Sequence, residues 1–243
     1  QMTRFIGMIG TVNYIVDSAM TDANGKVSFS ADTLLPGGLY YLVFPDNNYI
    51  QFLLDKDQEM SFKASKENIT NTMIVEGSCD NELFYQNLRF EAKFQAEVQP
   101  LDEQAQTLPP GPQKDEAIRL RDAKIAERKA HIKSFQDNHP NSFFTQFKTA
   151  GQNPDLKTPQ LPGGGLDSAL QVYYYRNEYW NNVDFTDERM LRTPIIANKL
   201  ENYIGKATDQ RIDSVIKYAD IVIEKSKVNR EMFKFIANSI AIK

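Results

Sequence analysis

Val75-Glu76-Gly77-Ser78-Cys79-Asp80-Asn81-Glu82-Leu83-Phe84 is where the chain changes its period. Before it, apolar residues alternate with polar ones or sit in short compact blocks, as strands require. After it they recur about every 3.6 residues, the repeat of a helix with one buried face. Ser78 or Asp80 is a suitable N-cap for a helix carrying Leu83, Phe84, Leu88 and Phe94. The switch predicts an α+β protein: a small antiparallel β-sandwich or barrel over residues 1–77, then an all-helical domain over 78–243.

Towards the N-terminus the strand signals are dense. Phe5 to Gly10 and Val12 to Val16 are rich in β-branched and aromatic residues. Asp22-Ala23-Asn24-Gly25 marks a hairpin turn, because Asn-Gly accepts positive φ. Lys26 to Ser30 alternates, with Val27 and Phe29 on one side. Leu35-Pro36-Gly37-Gly38 turns into Leu39 to Phe44, and Pro45 to Asn48 turns again into Tyr49 to Leu54. Glu59 to Ala64 and Thr72 to Glu76 complete the strands.

Towards the C-terminus the helices follow one another. The first is predicted to end near Val98, before a loop at 99–112 that holds Pro100, Pro109, Pro110 and Pro112. A long charged helix runs from about Gln113 to Asp137, with Ile118, Ile125 and Ile132 seven apart. Ser142 to Ala150 is short and aromatic. A Pro/Gly-rich loop occupies 152–165, and helices follow at Ser168 to Tyr179 and Thr186 to Leu191. Thr193-Pro194 starts another, with Thr as cap and Pro in the first turn. In Thr208 to Lys227 the stripe is Ile212, Val215, Ile216, Ala219 and Ile223. Asn229 caps the last helix.

Composition narrows the function classes. Of 243 residues 41% are hydrophobic and 25% charged, and the net charge is −4. Basic residues are interleaved with acids, as in Arg119 to Lys129, so no basic face for nucleic acid is expected. No apolar run reaches the roughly 18 residues of a membrane span. Gln1-Met2-Thr3-Arg4-Phe5 lacks the form of a secretion signal, and the stripe Met232, Phe233, Ile236, Ile240 is still running at Lys243. The expectation is a piece of a longer protein.

The chemistry-bearing residues are few. Cys79 is the single cysteine, so an internal disulfide and a C-x-x-C pair are excluded. His131 and His139 lie eight apart across a helix end, match no ligand spacing, and read as solvent-exposed. Gly163-Gly164-Gly165 lacks the Lys-Ser/Thr of a phosphate loop, being followed by Leu166-Asp167. The acid pairs fall in turns and first helical turns, where structure alone calls for them. No catalytic, cofactor-binding or metal-binding residue is assigned. The unusual feature is the aromatic run Tyr173, Tyr174, Tyr175, Tyr179, Trp180. It fits either the core of the helical domain or a partner surface, with Tyr173, Tyr174, Tyr179 and Trp180 as the candidate interaction residues.

Several strings resemble a known arrangement. They are Asp22 to Phe29, Leu35 to Tyr40, Phe52 to Asp55 and Val75 to Asn81, then Pro140 to Phe144, Tyr173 to Tyr175, Asp184 to Arg189 and Leu191 to Pro194. In this order they resemble the N-terminal β-domain and the following helical domain of unknown function in Bacteroidetes envelope proteins of the TlpA/AhpC-TSA thioredoxin-like type. There a thioredoxin fold with C-x-x-C follows. It is missing from this chain, so no active-site residue carries over.

The resemblance implies a non-catalytic accessory region of a thiol–disulfide oxidoreductase, without a cofactor. Its implied partner is a thioredoxin-like domain of the same polypeptide, with a homodimer as a further implication. Its implied location is the periplasm or envelope of a Gram-negative bacterium, held by a lipid anchor outside this chain. The alternative is a stand-alone envelope binding module for a protein, peptide or glycan. A carboxylate hydrolase has no constellation to support it.

Overall fold

A computed structural model describes residues 2–241. It is an α+β chain, with an antiparallel sheet near the N-terminus and helices after it. Contacts divide it into two compact units. One takes residues 1–55 together with 147–243, and the other takes 56–146. The division therefore does not fall at 77/78. The main sheet shares its unit with the C-terminal helices, and the change of period lies inside the other unit.

In the first unit, strands β1 (Met2–Ile9), β2 (Val12–Met20), β3 (Gly38–Val43) and β4 (Tyr49–Leu54) form one sheet in the order β2-β1-β3-β4. Every pairing is antiparallel. Gly10 makes the tight β1–β2 turn at φ 59°, and a side chain there would meet the Phe235 ring. The register slips between Phe5 and Ile6, so that Phe5 faces Asp17 and Ile6 faces Ile15, leaving Val16 as a bulge. One face carries Phe5, whose ring lies 5.4 Å from both Phe29 and Tyr40 and 5.7 Å from Phe52.

Phe29 corrects one expectation. Residues 26–30 form no strand. The Asn24-Gly25 turn does close, with Asp22 Oδ1 accepting from Asn24 and Lys26 N–H at 2.8 Å each. The segment behind it packs Phe29 onto Phe5 and pairs with no neighbouring strand.

The second unit begins with the ribbon β5 (Ser61–Lys63) and β6 (Ile74–Glu76), with the single turn α1 (Ile69–Thr72) between them. Then come α2 (Cys79–Thr107) and α3 (Pro112–Asn138), two long helices joined at residues 108–111. Ser78 caps α2 by accepting from Asn81 N–H. The predicted stop at Val98 is wrong: α2 runs through Pro100 to Thr107. Proline removes one helical donor, but tertiary contact holds the far side of it. Val98 and Ala105 are buried, and three ion pairs run between the helices. These are Arg128–Glu91 at 2.8 Å, Lys124–Glu97 at 2.7 Å and Arg121–Asp102 at 3.9 Å.

His131 sits in this seam, stacked 3.8 Å from Phe90 and edge-on to Phe135, so its predicted solvent exposure is corrected. His139 is half-buried at the end of α3. Ile125 is exposed, whereas Ala117, Ile132 and Phe135 form the buried side of α3.

Helices α4 (Phe143–Ala150), α5 (Ser168–Glu178), α6 (Ile195–Asn202), α7 (Ile212–Ser226) and α8 (Arg230–Ala241) complete the chain. A 3-10 turn at Glu188–Arg192 precedes α6, and a π-turn at Tyr203–Ala207 ends it. Asn229 Oδ1 caps α8 by accepting from Glu231 and Met232 N–H. The stripe on α7 is rotated from the expected one. Tyr218, Ala219 and Val222 are buried, while Ile212 and Ile216 face solvent.

Candidate functional site

The polar feature that most needs explaining lies in the core of the first unit. Ile196, Leu200 and Tyr203 recur at the spacing of one helical face, and all three are buried. Lys199 occupies the same face and is only 4% exposed. Its Nζ donates to the Gln152 carbonyl at 2.9 Å. It also lies over two rings, 4.3 Å from the centre of Tyr179 and 5.9 Å from that of Trp180. Among the described residues no carboxylate pairs with it. Burial pushes this amine down from 10.5 to about 8, because a low-dielectric site disfavours the charged form.

The rings around Lys199 pack on one another. Tyr179 stacks on Tyr203 at 5.1 Å and meets Trp180 edge-on at 5.4 Å. Trp180 and Tyr203 are 5.4 Å apart, and Tyr218 closes on Tyr203. Burial raises both phenols, Tyr203 to about 12 and Tyr179 well above the usual tyrosine range. Both are therefore neutral near pH 7. The Trp180 indole N–H is buried with no hydrogen-bond partner. Sequence reasoning missed Lys199. Its signal was present in Ile196-x-x-Lys199-Leu200-x-x-Tyr203, where a lysine stands at a core position.

The candidate interaction residues separate. Tyr179 and Trp180 are core, 1% and 2% exposed, so they are not part of a surface. Tyr173 is 53% exposed, and Tyr174 is half-buried beneath the Lys157 ammonium. The structure thus places a residual aromatic surface at Tyr173, next to exposed Val172. The strand expected over Val12 to Val16 forms the start of β2. It is an edge strand with Val12, Ile15 and Met20 exposed.

Arg189 anchors the loop before α6. Its guanidinium donates to Asp55 Oδ2 at 2.8 Å and to both Asp187 oxygens, at 2.8 and 2.7 Å. Hydrogen bonding to Asp187 raises its pKa first of all, against the cost of burial. The clamp ties β4's end to the 3-10 turn. Gly38 lies so close that a Cβ would sit 2.5 Å from Arg192 Cβ and 2.9 Å from its carbonyl oxygen.

Cys79 is the first residue of α2 and is exposed. Partial burial raises its pKa, and the Asp80 and Glu82 carboxylates raise it further. Among the described residues no group of three or more His, Cys, Asp or Glu side chains could hold a metal ion, and no helix is long and apolar enough to cross a membrane.

Elements and packing define an α+β chain with a sheet-bearing unit and a helical-hairpin unit. Two family models match it. A domain of unknown function (DUF4369) matches residues 4–84, and another domain of unknown function (DUF5106) matches residues 124–241. Neither reaches half of the chain. The first match ends inside α2, and residues 85–123 between the matches form most of the helical hairpin. No curated protein and no solved structure matches.

Proposed function

We propose that this chain is the non-catalytic accessory region of an envelope thiol–disulfide oxidoreductase, which holds, dimerises or gives access to a thioredoxin-like domain of the same polypeptide. The observation that carries the reading is Cys79. It is the only thiol, and burial, Asp80 and Glu82 keep it protonated. A protonated thiol without a resolving partner is a poor redox nucleophile. The ordered strings described above and the sheet-then-helix order of the two domain matches support the same reading. The envelope location and the lipid anchor belong to the proposal.

The test is insulin reduction by this chain, by its Cys79→Ser variant, and by the product of the whole reading frame. The expected result is no activity from the first two, and activity from the whole product through a C-x-x-C beyond Lys243. Turnover by this chain that disappears in Cys79→Ser would overturn the proposal, as would a whole product without such a pair.

The exposed edge of β2 and Tyr173 favour a second reading, a stand-alone binding module. It predicts that Tyr173→Ala and Ile15→Lys weaken self-association or capture of a partner without unfolding the chain.

A further inference from the structure

Strand β2 is an edge that its own chain leaves open. Among the described residues it pairs with β1 alone. None of its nine residues is buried, whereas β4 at the opposite edge buries four of six. Its apolar side chains are exposed on both faces of the sheet. The register puts Val12, Tyr14, Asp17 and Ala19 on the face of Phe5, and Asn13, Ile15, Ser18 and Met20 on the other. Val12 is 69% exposed on the first face, and Ile15 and Met20 are 64% and 66% exposed on the second. A partner lying against one face leaves the other open. An added strand carries side chains to both faces and also meets the free backbone groups of the edge. Edges kept free of partners commonly carry lysine or proline. Val12–Met20 has neither, and Asp17 is its single charge.

The bulge at Val16 decides which strand fits. It shifts the alternation, so that Tyr14 and Asp17 share a face although they stand three apart. A straight peptide follows the alternation of Val12–Ile15 or that of Asp17–Met20, and follows both only by repeating the slip that β1 makes. A second β2 brings the same shift with it. We propose that β2 pairs antiparallel with β2 of a second copy about a two-fold axis between Ile15 and Val16, joining two four-stranded sheets into one. In this register Val12 faces Ala19 of the second copy, Asn13 faces Ser18, Tyr14 faces Asp17 and Ile15 faces Val16. The two members of each of the first three pairs lie on the same face of the sheet. Ile15 and Val16 of both copies gather at the axis and form the apolar centre of the interface. Asp17 stands beside a tyrosine and not beside its own copy, so like charges do not oppose each other. The inference narrows the binding-module reading to one partner, and it is independent of any thioredoxin-like domain.

The test takes the intact chain through sedimentation velocity over a range of concentrations. The expected result is a monomer that shifts to a dimer as concentration rises, and loss of that shift in Ile15→Lys, which brings two ammonium groups to the axis. Circular dichroism checks that the variant folds. Cross-linking reads the register independently. Two proteins, Asn13→Cys and Ser18→Cys, each in a Cys79→Ser background, are mixed and treated with a short bis-maleimide. The expected product is a covalent dimer from the mixture and little from either protein alone, because the two copies of Asn13 lie roughly 17 Å apart in this register. If Ile15→Lys does not fold, the cross-link decides. A wild type that stays monomeric up to about 0.5 mM would leave the edge to a foreign strand. A dimer that survives in folded Ile15→Lys, or that gives no cross-link between positions 13 and 18, would assemble elsewhere. Each of these results overturns the proposal, and the first leaves the binding-module reading open to other partners.

Discussion

Lys199→Met separates the cost of a buried charge from the value of its contacts. Burial lowers the amine from 10.5 to about 8. A folded pKa below the unfolded one means that the unfolded chain binds more protons between those values. Stability therefore rises with pH across this window, and the penalty is fully present below it. Two and a half units correspond to about 3 kcal/mol. Between about pH 7 and about pH 9.5 some 2 kcal/mol of that is relieved. The buried tyrosines work the other way above about pH 10, where raised phenol pKa values cost stability. Comparing wild type with Lys199→Met cancels their contribution.

Methionine nearly matches lysine in length and carries no charge. At neutral pH it removes the penalty but forfeits the bond to Gln152 and the two cation–π contacts. These are worth about 1–2 kcal/mol and about 1–2 kcal/mol. The two variants should therefore lie within about 1 kcal/mol of each other near neutrality. Urea denaturation in gluconate buffer, followed by Trp180 fluorescence, measures both. The wild type should gain about 2 kcal/mol over the variant on going from about pH 7 to about pH 9.5. Parallel pH curves would refute the reasoning, because they would show that Lys199 titrates as a solvated amine.

Other perturbations test the frame around this core. Arg189→Met removes the guanidinium from the part-buried Asp55 and Asp187, and should cost about 2 kcal/mol in urea denaturation, with Arg189→Lys restoring only part of it. Gly38→Ala should lower stability more than Gly7→Ala. Its Cβ meets the Arg192 backbone, whereas at Gly7 it meets the movable end of the Tyr14 side chain. Thermal unfolding of the two variants ranks them. Pro100→Ala restores the missing helical donor and should stabilise the chain by about 1–2 kcal/mol, provided the α2 backbone is already helical there.

What the sequence could reveal depended on how local each cause was. The turn at Asn24-Gly25 and the caps at Ser78 and Asn229 are set within a few residues, and they stand where the spacing puts them. Pro100 misled because its local cost is offset by non-local contact, the Arg121–Asp102 pair with α3 and the burial of Ala105 beyond the proline. Residues 26–30 misled for the opposite reason: the alternation is real, but it serves one ring contact, Phe29 on Phe5, with no neighbour to pair with.

The aromatic run shows how composition and burial part company. Tyr173 and Trp180 stand seven apart, a spacing that puts them on one helical face and fits either a core or a partner surface. A helix carries them to one face only while it lasts, and α5 stops at Glu178. Tyr179 and Trp180 therefore leave that face and turn into the core, where Tyr203 from the end of α6 stacks against Tyr179. Lys199 lies over the Tyr179 ring of that stack, at a position where the buried face of its helix calls for an apolar residue. Between Ile196 and Tyr203 the lysine is the one residue whose presence packing does not explain. Near neutral pH a core assembled for stability alone would accept Met there about as well, so the pH-dependent difference between Lys199 and Lys199→Met isolates what the ionisable amine contributes at this position.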